Sequence, residues 1–312
     1  MPLPSRDLLP MCAWYLFVVL QLASGVSFGP RETRGQLTDA RITEASGLAV
    51  SRVHQNVGYT HNDKGGLNEI YAFDIITGAT VATIVINNAT NWDWEDLTYG
   101  PCFDDCNASV CSAQTPPSRY CIYVADTGDH AAQDAANIIY AIREPFALQD
   151  ARVDLVGVLR FSWTEVDAET LMMSPSGQLF IMSKVDGGQA KVAEIPAAAW
   201  NRDSVTLLDM SKTAVLKINT NSNDPQGGDI SPDGKNVILI GEHGIYYLSV
   251  TNNDYIKSVQ DNIPVEVSTY QRVKDSEGIA WSSDGKGFYI VAEGKNSTVY
   301  FYSFDEAGLI VG

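Results

Sequence analysis

A unit of four short strands recurs along this chain, and this recurrence limits the possible folds more than any other feature. The first unit reads "GLAVSR", "VGYTHND", "EIYAFDI" and "TVATIVI", rich in β-branched and aromatic residues and divided by Gly, Asn and Asp. Similar sets open at "DWEDLTYG" and "DAETLMMS". A single sheet of this size cannot bury both of its faces, so the repeat predicts radial stacking of sheets into a β-propeller.

Alignment of the opening strands on their following turns gives the number of units. Five openings align, at "EASGLAVS", "DWEDLTYG", "DAETLMMSPSG", "PQGGDISPDG" and "DSEGIAWSSDG". The last unit has three strands, so we expect the N-terminal "GQLTDARI" to supply its fourth and to close the ring. The sequence thus predicts one all-β domain over residues 35–312, a propeller of five four-stranded blades. Six blades is the alternative, because the second repeat is long enough to hide further strands.

The N-terminal residues have the pattern of a targeting signal. Residues 11–22, "MCAWYLFVVLQL", form an apolar run that follows Arg6 and precedes the small residues Ala23 and Gly25. This arrangement predicts a cleaved signal peptide over residues 1–25. A membrane anchor or a buried helix is the alternative, although the run is short for a bilayer span.

Charge restricts the partners. Thirty-eight Asp and Glu against 21 Lys and Arg give a formal net charge of -17. This balance argues against nucleic acid and anionic membranes as partners, and it favours cations or basic proteins.

Cysteine usage agrees with secretion. Four of the five cysteines lie close together, at Cys102, Cys106, Cys111 and Cys121. Four cysteines allow three pairings, and we expect Cys106–Cys111 nested within Cys102–Cys121, because the outer pair would tie the ends of two neighbouring strands. A zinc site is the alternative. Three sequons, at Asn88, Asn107 and Asn296, fit a glycosylated surface.

Acidic residues recur at two positions of the opening strands. The first position holds Glu44, Asp93, Asp167 and Asp275, and the second, two residues later, holds Glu95, Glu169 and Glu277. The fourth unit departs from the pattern, with Gln226 and a displaced Asp229. A further polar set follows the second strands: His61, Asn62, Asp63, Asp126, Asp129 and Glu242.

The first strand of each propeller blade lines the central channel, so these acids are expected to converge around one axis. Their mutual repulsion would raise their pKa values unless a cation held them, and oxygen-rich sites of this kind suit Ca²⁺. We therefore expect a calcium or other divalent cation site with metal ligands Glu44, Glu95, Glu169, Glu277, Asp63, Asp126 and Asp129. The ligand-binding candidates around it are His61, Asn62, Asp93, Asp167, Asp275 and Glu242. Alternatively, the acids cap turns at a wet channel mouth.

Several of these segments together resemble a known family. "EASGLAVSR", "YTHNDKGG", "DWEDLTYGP", "YVADTGD", "DISPDGKNV" and "SEGIAWSSDGKGFYIVAEG" are similar to motifs of a largely uncharacterised family of secreted, mostly bacterial propeller proteins, in the same order, over residues 42–303. More distantly, the last unit is similar to the calcium-dependent propeller phytases, in which an acidic channel binds calcium ions that hold phosphate. The gluconolactonase and paraoxonase group is similar in architecture and also keeps calcium in the channel.

Two functions remain open on these grounds. The chain contains no nucleophile elbow, no HExxH and no glycine loop for nucleotides. The favoured interpretation is a secreted protein that binds calcium and an extracellular ligand or matrix component. The alternative is a calcium-dependent hydrolase of the phosphoesterase or lactonase kind, in which the cation polarises an oxygen while a channel carboxylate or His61 accepts a proton.

Overall fold

The computed structural model describes residues 25–104, 119–128, 137–185, 189–201, 204–218 and 224–306. Strands dominate these segments, which contain one short helix, α1 (Tyr255–Asp261), and two 3₁₀ turns at Ala197–Asn201 and Met210–Lys212. Within this described part of the chain, no helix is long and apolar enough to cross a bilayer. The expected signal peptide falls almost wholly outside it.

The strands of the first half of the chain are β1 (Val26–Phe28), β2 (Glu32–Gln36), β3 (Ala45–Val50), β4 (Val57–Asn62), β5 (Glu69–Asp74), β6 (Thr80–Asn87), β7 (Trp94–Pro101), β8 (Tyr120–Asp126), β9 (Asn137–Arg143), β10 (Ala151–Asp154) and β11 (Gly157–Ser162). The second half contributes β12 (Thr170–Met173), β13 (Leu179–Met182), β14 (Lys191–Ile195), β15 (Thr206–Leu207), β16 (Thr213–Val215), β17 (Pro225–Ile230), β18 (Asn236–Gly241), β19 (Ile245–Ser249), β20 (Val265–Glu266), β21 (Ser276–Trp281), β22 (Gly287–Ala292) and β23 (Thr298–Glu306).

These strands form five sheets, which we number as blades I to V. From the innermost strand outward, blade I is β3-β4-β5-β6, blade II is β7-β8-β9-β11, blade III is β12-β13-β14-β16, and blade IV is β17-β18-β19-β20. Blade V is β21-β22-β23, with β1 and β2 both paired to β23. The prediction of an all-β propeller with five four-stranded blades is confirmed.

Short additional strands extend the first two blades. β10 pairs in parallel with β6, and β15 pairs in parallel with β11. The repeat predicts a strand at "SVTLLDM", residues 204–210, as the fourth strand of blade III, but β15 joins blade II and β16 takes that place in blade III. β10 falls outside the predicted repeat. In blade V the antiparallel partners of β23 are β1 and β2, which begin at Val26 and Glu32. The sheet therefore includes residues that precede residue 35, the predicted start of the domain.

The blades form a ring, because the innermost strands contact one another in the cyclic order β3, β7, β12, β17, β21 and back to β3. A separate apolar cluster fills each of the five spaces between neighbouring blades. Tyr59 and Trp94, for example, pack between blades I and II. The burial pattern follows from this arrangement: every residue of β7 is buried, whereas the outermost β10 alternates between partly buried and exposed residues.

The Cys102–Cys121 disulfide joins the end of β7 to β8, its antiparallel neighbour. This pairing was expected and is confirmed. The expected Cys106–Cys111 pair lies outside the described residues.

Candidate metal site at the channel mouth

A register shift recurs in the innermost strands, at one repeated position of the sequence. The pairing of β7 with β8 skips Glu95, that of β17 with β18 skips Gln226, and that of β21 with β22 skips Glu277. Such a β-bulge leaves one residue out of the ladder and re-aims its side chain. The amide of Gln226 donates to Glu277 at 3.1 Å, so these re-aimed side chains meet across neighbouring blades.

The acids at the first aligned position are held in place by hydrogen bonds to their backbone carbonyl oxygens. In four blades the carbonyl oxygen of this acid accepts an N–H from the segment that follows the second strand, at 2.8 to 3.1 Å. The donor and acceptor residues are Asp63 and Glu44, Thr127 and Asp93, Lys184 and Asp167, and Glu293 and Asp275. Because of these bonds, the polar residues that follow the second strands lie on the same face as the acids that open the first strands.

Blade IV has an acid at the first position that the sequence analysis missed. Asp224 stands two residues before Gln226, as Asp167 stands two residues before Glu169, and it is 9% exposed. The repeat itself contains the signal, since Asp224 directly precedes the aligned segment "PQGGDISPDG".

Two groups of three acids converge at the channel mouth. In the first group, carboxylate oxygens of Asp63, Asp93 and Glu95 lie within 4.8 Å of one another. In the second group, oxygens of Glu95, Asp167 and Glu169 lie within the same distance. Glu95 belongs to both groups, so the acids of blades I, II and III form one continuous cluster.

Burial and crowding shift the titration of these acids. Desolvation, followed by the charges of Glu169 and Asp63, raises the pKa of Glu95 well above its usual range. Desolvation raises the pKa of Asp63 to about 6, with smaller contributions from the charges of Asp93 and Glu44. Desolvation and the charge of Glu169 raise the pKa of Glu277 to about 8. The protein alone therefore disfavours the ionised forms of these acids.

Two lysines form ion pairs with acids of the cluster. The ammonium of Lys64 donates to Asp93 at 2.7 Å, and that of Lys184 forms an ion pair with Glu169. Desolvation raises the pKa of Glu169 even though the charge of Lys184 opposes the shift. Two ammonium groups do not balance the five carboxylates of the two groups.

Some carboxylate oxygens at this site have no hydrogen-bond partner among the described residues. They include Oδ1 of Asp63 and Oε2 of Glu169, both of which are buried. A buried oxygen without a donor is costly, and a hard cation bound by several carboxylate oxygens removes that cost. The donor set of Asp63, Asp93 and Glu95, all oxygen, is of the kind that Ca²⁺ prefers.

Gly128 makes room for these acids. A Cβ built at Gly128 would lie 2.1 Å from Oε1 of Glu95 and 2.5 Å from Oδ2 of Asp93. Only a residue without a side chain lets the backbone approach the two carboxylates this closely.

Three other candidates lie beside the cluster and have structural contacts. Oδ1 of Asp126 accepts the N–H of Asp93 at 2.9 Å, so this fully buried acid orients a member of the first group. The side-chain oxygen of Asn62 accepts two backbone N–H groups at 2.9 and 3.0 Å and thereby anchors the strand opening at Glu44. His61 is completely buried, packs edge-on against Trp94, and has its pKa lowered to about 4 by desolvation.

The remaining candidates lie farther out or outside the described residues. Glu44 and Asp275 are exposed, and Asp275 bonds Lys274 at 2.8 Å. The exposed Glu242 pairs with Arg272 at 3.2 Å. Asp129 lies outside the described residues. Of the sequons, Asn88 and Asn296 are exposed with a positive φ, and Asn107 is not described.

Two aspartates of the innermost strands, Asp96 and Asp229, bind the backbone of the following blade. Asp96 accepts the N–H of Leu171 in the next blade at 2.9 Å, and Asp229 accepts that of Trp281 in the next blade at 2.9 Å. Desolvation raises the pKa of both, and that of Asp229 lies at about 7. Each aspartate links its blade to the following one.

Fold and site together define an acidic β-propeller with a cluster of carboxylates at one end of its channel. No protein-family model matches the chain, and no curated protein matches it in sequence. Among solved structures, the PQQ-bound aldose sugar dehydrogenase of Streptomyces coelicolor matches with a TM-score of 0.51 and 11% identity, over 90% of this chain and 99% of that one. The major allergen Mala s 1 of Malassezia sympodialis matches with a TM-score of 0.51 and 10% identity, over 87% and 96%. At such identities the similarity establishes the fold alone.

Proposed function

We propose that this chain is a secreted, acidic β-propeller that binds calcium at its channel mouth and acts as an extracellular binding or matrix protein. The observation that carries the proposal is the convergence of Asp63, Asp93 and Glu95 within 4.8 Å, beside a second group that shares Glu95. Acids this close repel one another unless a cation binds between them, and oxygen ligands of this type suit Ca²⁺.

The site residues would have distinct roles. Asp63, Asp93 and Glu95 would hold the cation, Asp126 would keep Asp93 in position, and Gly128 would keep the space beside them open. The bound calcium supplies a positive centre that attracts carboxylate, phosphate or hydroxyl oxygens of a ligand at the channel mouth.

Three features support an extracellular location. The N-terminal residues have the pattern of a signal peptide, a disulfide joins Cys102 and Cys121, and the sequons at Asn88 and Asn296 are exposed.

One observation favours a calcium-dependent hydrolase as the second candidate. Glu277 lies outside both three-acid groups. Desolvation, followed by the charge of Glu169, raises its pKa to about 8. A carboxyl group with a pKa near neutrality is suited to transfer protons.

Calorimetric titration with Ca²⁺ after treatment with chelator tests the proposal. We expect binding by the wild type, loss of at least about tenfold in affinity for Glu95→Gln, and no change for the exposed control Glu194→Gln. Absence of binding by the wild type would contradict the proposal. Assays of phosphate-ester and lactone hydrolysis, with calcium and with chelator, separate the two candidates: turnover that disappears in Glu95→Gln favours the hydrolase.

A further inference from the structure

Two lysine side chains reach the acid cluster from equivalent places in the repeat. Lys64 follows the second strand of blade I, and Lys184 follows the second strand of blade III. Lys64 bonds Asp93, and Lys184 pairs with Glu169. Each lysine therefore binds one of the two three-acid groups.

The two lysines differ in how easily they can leave. The side chain of Lys64 is 64% exposed and that of Lys184 is 34% exposed, whereas their partners Asp93 and Glu169 are both almost fully buried, at 6% and 8%. Withdrawal of either lysine would leave a buried carboxylate without its counter-charge, which is costly unless an ion replaces that charge. Because the side chain of Lys64 already lies largely in solvent, its ammonium group can be displaced with less loss of side-chain burial than that of Lys184.

We infer that Lys184 is a tethered cation that occupies the Glu95–Asp167–Glu169 group, so that one divalent ion binds, at Asp63–Asp93–Glu95, by displacing Lys64. This inference rests on the proposed calcium site. It assigns Lys184 the role of limiting the site to one ion, and Lys64 the role of an internal competitor for that ion. The buried Oε2 of Glu169, which has no hydrogen-bond partner among the described residues, is an oxygen that a second ion could use once Lys184 is removed.

Titration of the full chain with Ca²⁺, and separately with Tb³⁺, tests the inference through stoichiometry. We expect one ion per wild-type chain, two ions for Lys184→Met, and one ion bound at least about tenfold more tightly for Lys64→Met, because each change removes a positive charge close to the ion. Methionine keeps an unbranched apolar stem in place. Lys191→Met is the matched control, since Lys191 and Glu165 form an ion pair of similar exposure, 37% and 11%.

The outcomes separate this inference from the proposed function. Two ions in the wild type, or one ion in Lys184→Met, would overturn the inference and leave the calcium site standing. No ion in the wild type would overturn both. If Lys184→Met fails to fold, the double variant Glu169→Gln with Lys184→Met removes both charges, and Lys184→Arg retains the positive one. Both are expected to bind one ion, and two ions in Lys184→Arg would refute the role of charge.

Discussion

Replacement of Glu277 by glutamine should stabilise the protein at alkaline pH in the absence of divalent cations. Blade IV already carries glutamine at the aligned position, Gln226, so the shape is compatible with the fold. The pKa of Glu277 is raised from 4.5 to about 8. A shift of this size corresponds to about 5 kcal/mol of lost folding stability when the group is ionised. Partial exposure and screening by salt reduce this to about 2 kcal/mol.

The sign follows from the raised pKa. The folded state binds the proton of Glu277 more tightly than the unfolded state does, so this group adds stability as the pH falls from about 8 toward 4.5. In chelator, the wild type should therefore lose stability as the pH rises from about 4.5 through about 8, and Glu277→Gln should lose less over this range.

Urea denaturation in chelator at about pH 5 and about pH 9 measures this difference. We expect Glu277→Gln to exceed the wild type by about 2 kcal/mol at the higher pH and by less than about 1 kcal/mol at the lower one. Glu266→Gln, on the exposed outer strand of blade IV, is the control. A Glu277→Gln variant that is equal to or less stable than the wild type at about pH 9 would refute the electrostatic reasoning.

Other predictions concern the blade contacts, the space at the site and the disulfide. Asp96→Ala leaves two buried backbone N–H groups unpaired and should cost about 2 to 4 kcal/mol in urea denaturation, whereas Asp96→Asn, which keeps one acceptor, should cost less. Gly128→Ala should abolish the rise in melting temperature caused by calcium, because its Cβ would lie 2.1 Å from Oε1 of Glu95; an undiminished rise would contradict this. Joint replacement of Cys102 and Cys121 by serine should cost about 3 kcal/mol, since the disulfide closes a loop with a sequence separation of 19. An unchanged melting temperature would contradict the last prediction.

The blade repeat could be predicted because strand, turn and hydrophobic pattern agree in every unit. The ungapped alignment also predicted which residues are equivalent, and the register shifts at Glu95, Gln226 and Glu277 fall at one aligned position. The parallel pairings of β10 and β15 could not be predicted, because both are short segments that pair with strands distant in sequence.

Side-chain direction was harder to predict than strand position. His61 stands among polar residues in the sequence, yet it lies between blades I and II because alternation within β4 directs it there, against Trp94. Asp96 directly follows Glu95, but it points to the next blade and binds backbone N–H groups. Neighbouring acids in one strand thus have different environments, and a pattern of residue types alone does not distinguish them.

The asymmetry of the ring explains where a cation would bind. Every member of the two three-acid groups comes from blades I, II or III: Asp63 from I, Asp93 and Glu95 from II, Asp167 and Glu169 from III. In blade IV the second position is the neutral Gln226, whose amide donates to Glu277 of blade V. The amide donates to one carboxylate oxygen and adds no negative charge of its own, so blades IV and V have less need of a counter-ion than blades I to III. We therefore expect a cation to bind on the side of blades I to III, at Glu95, where the two acid groups meet.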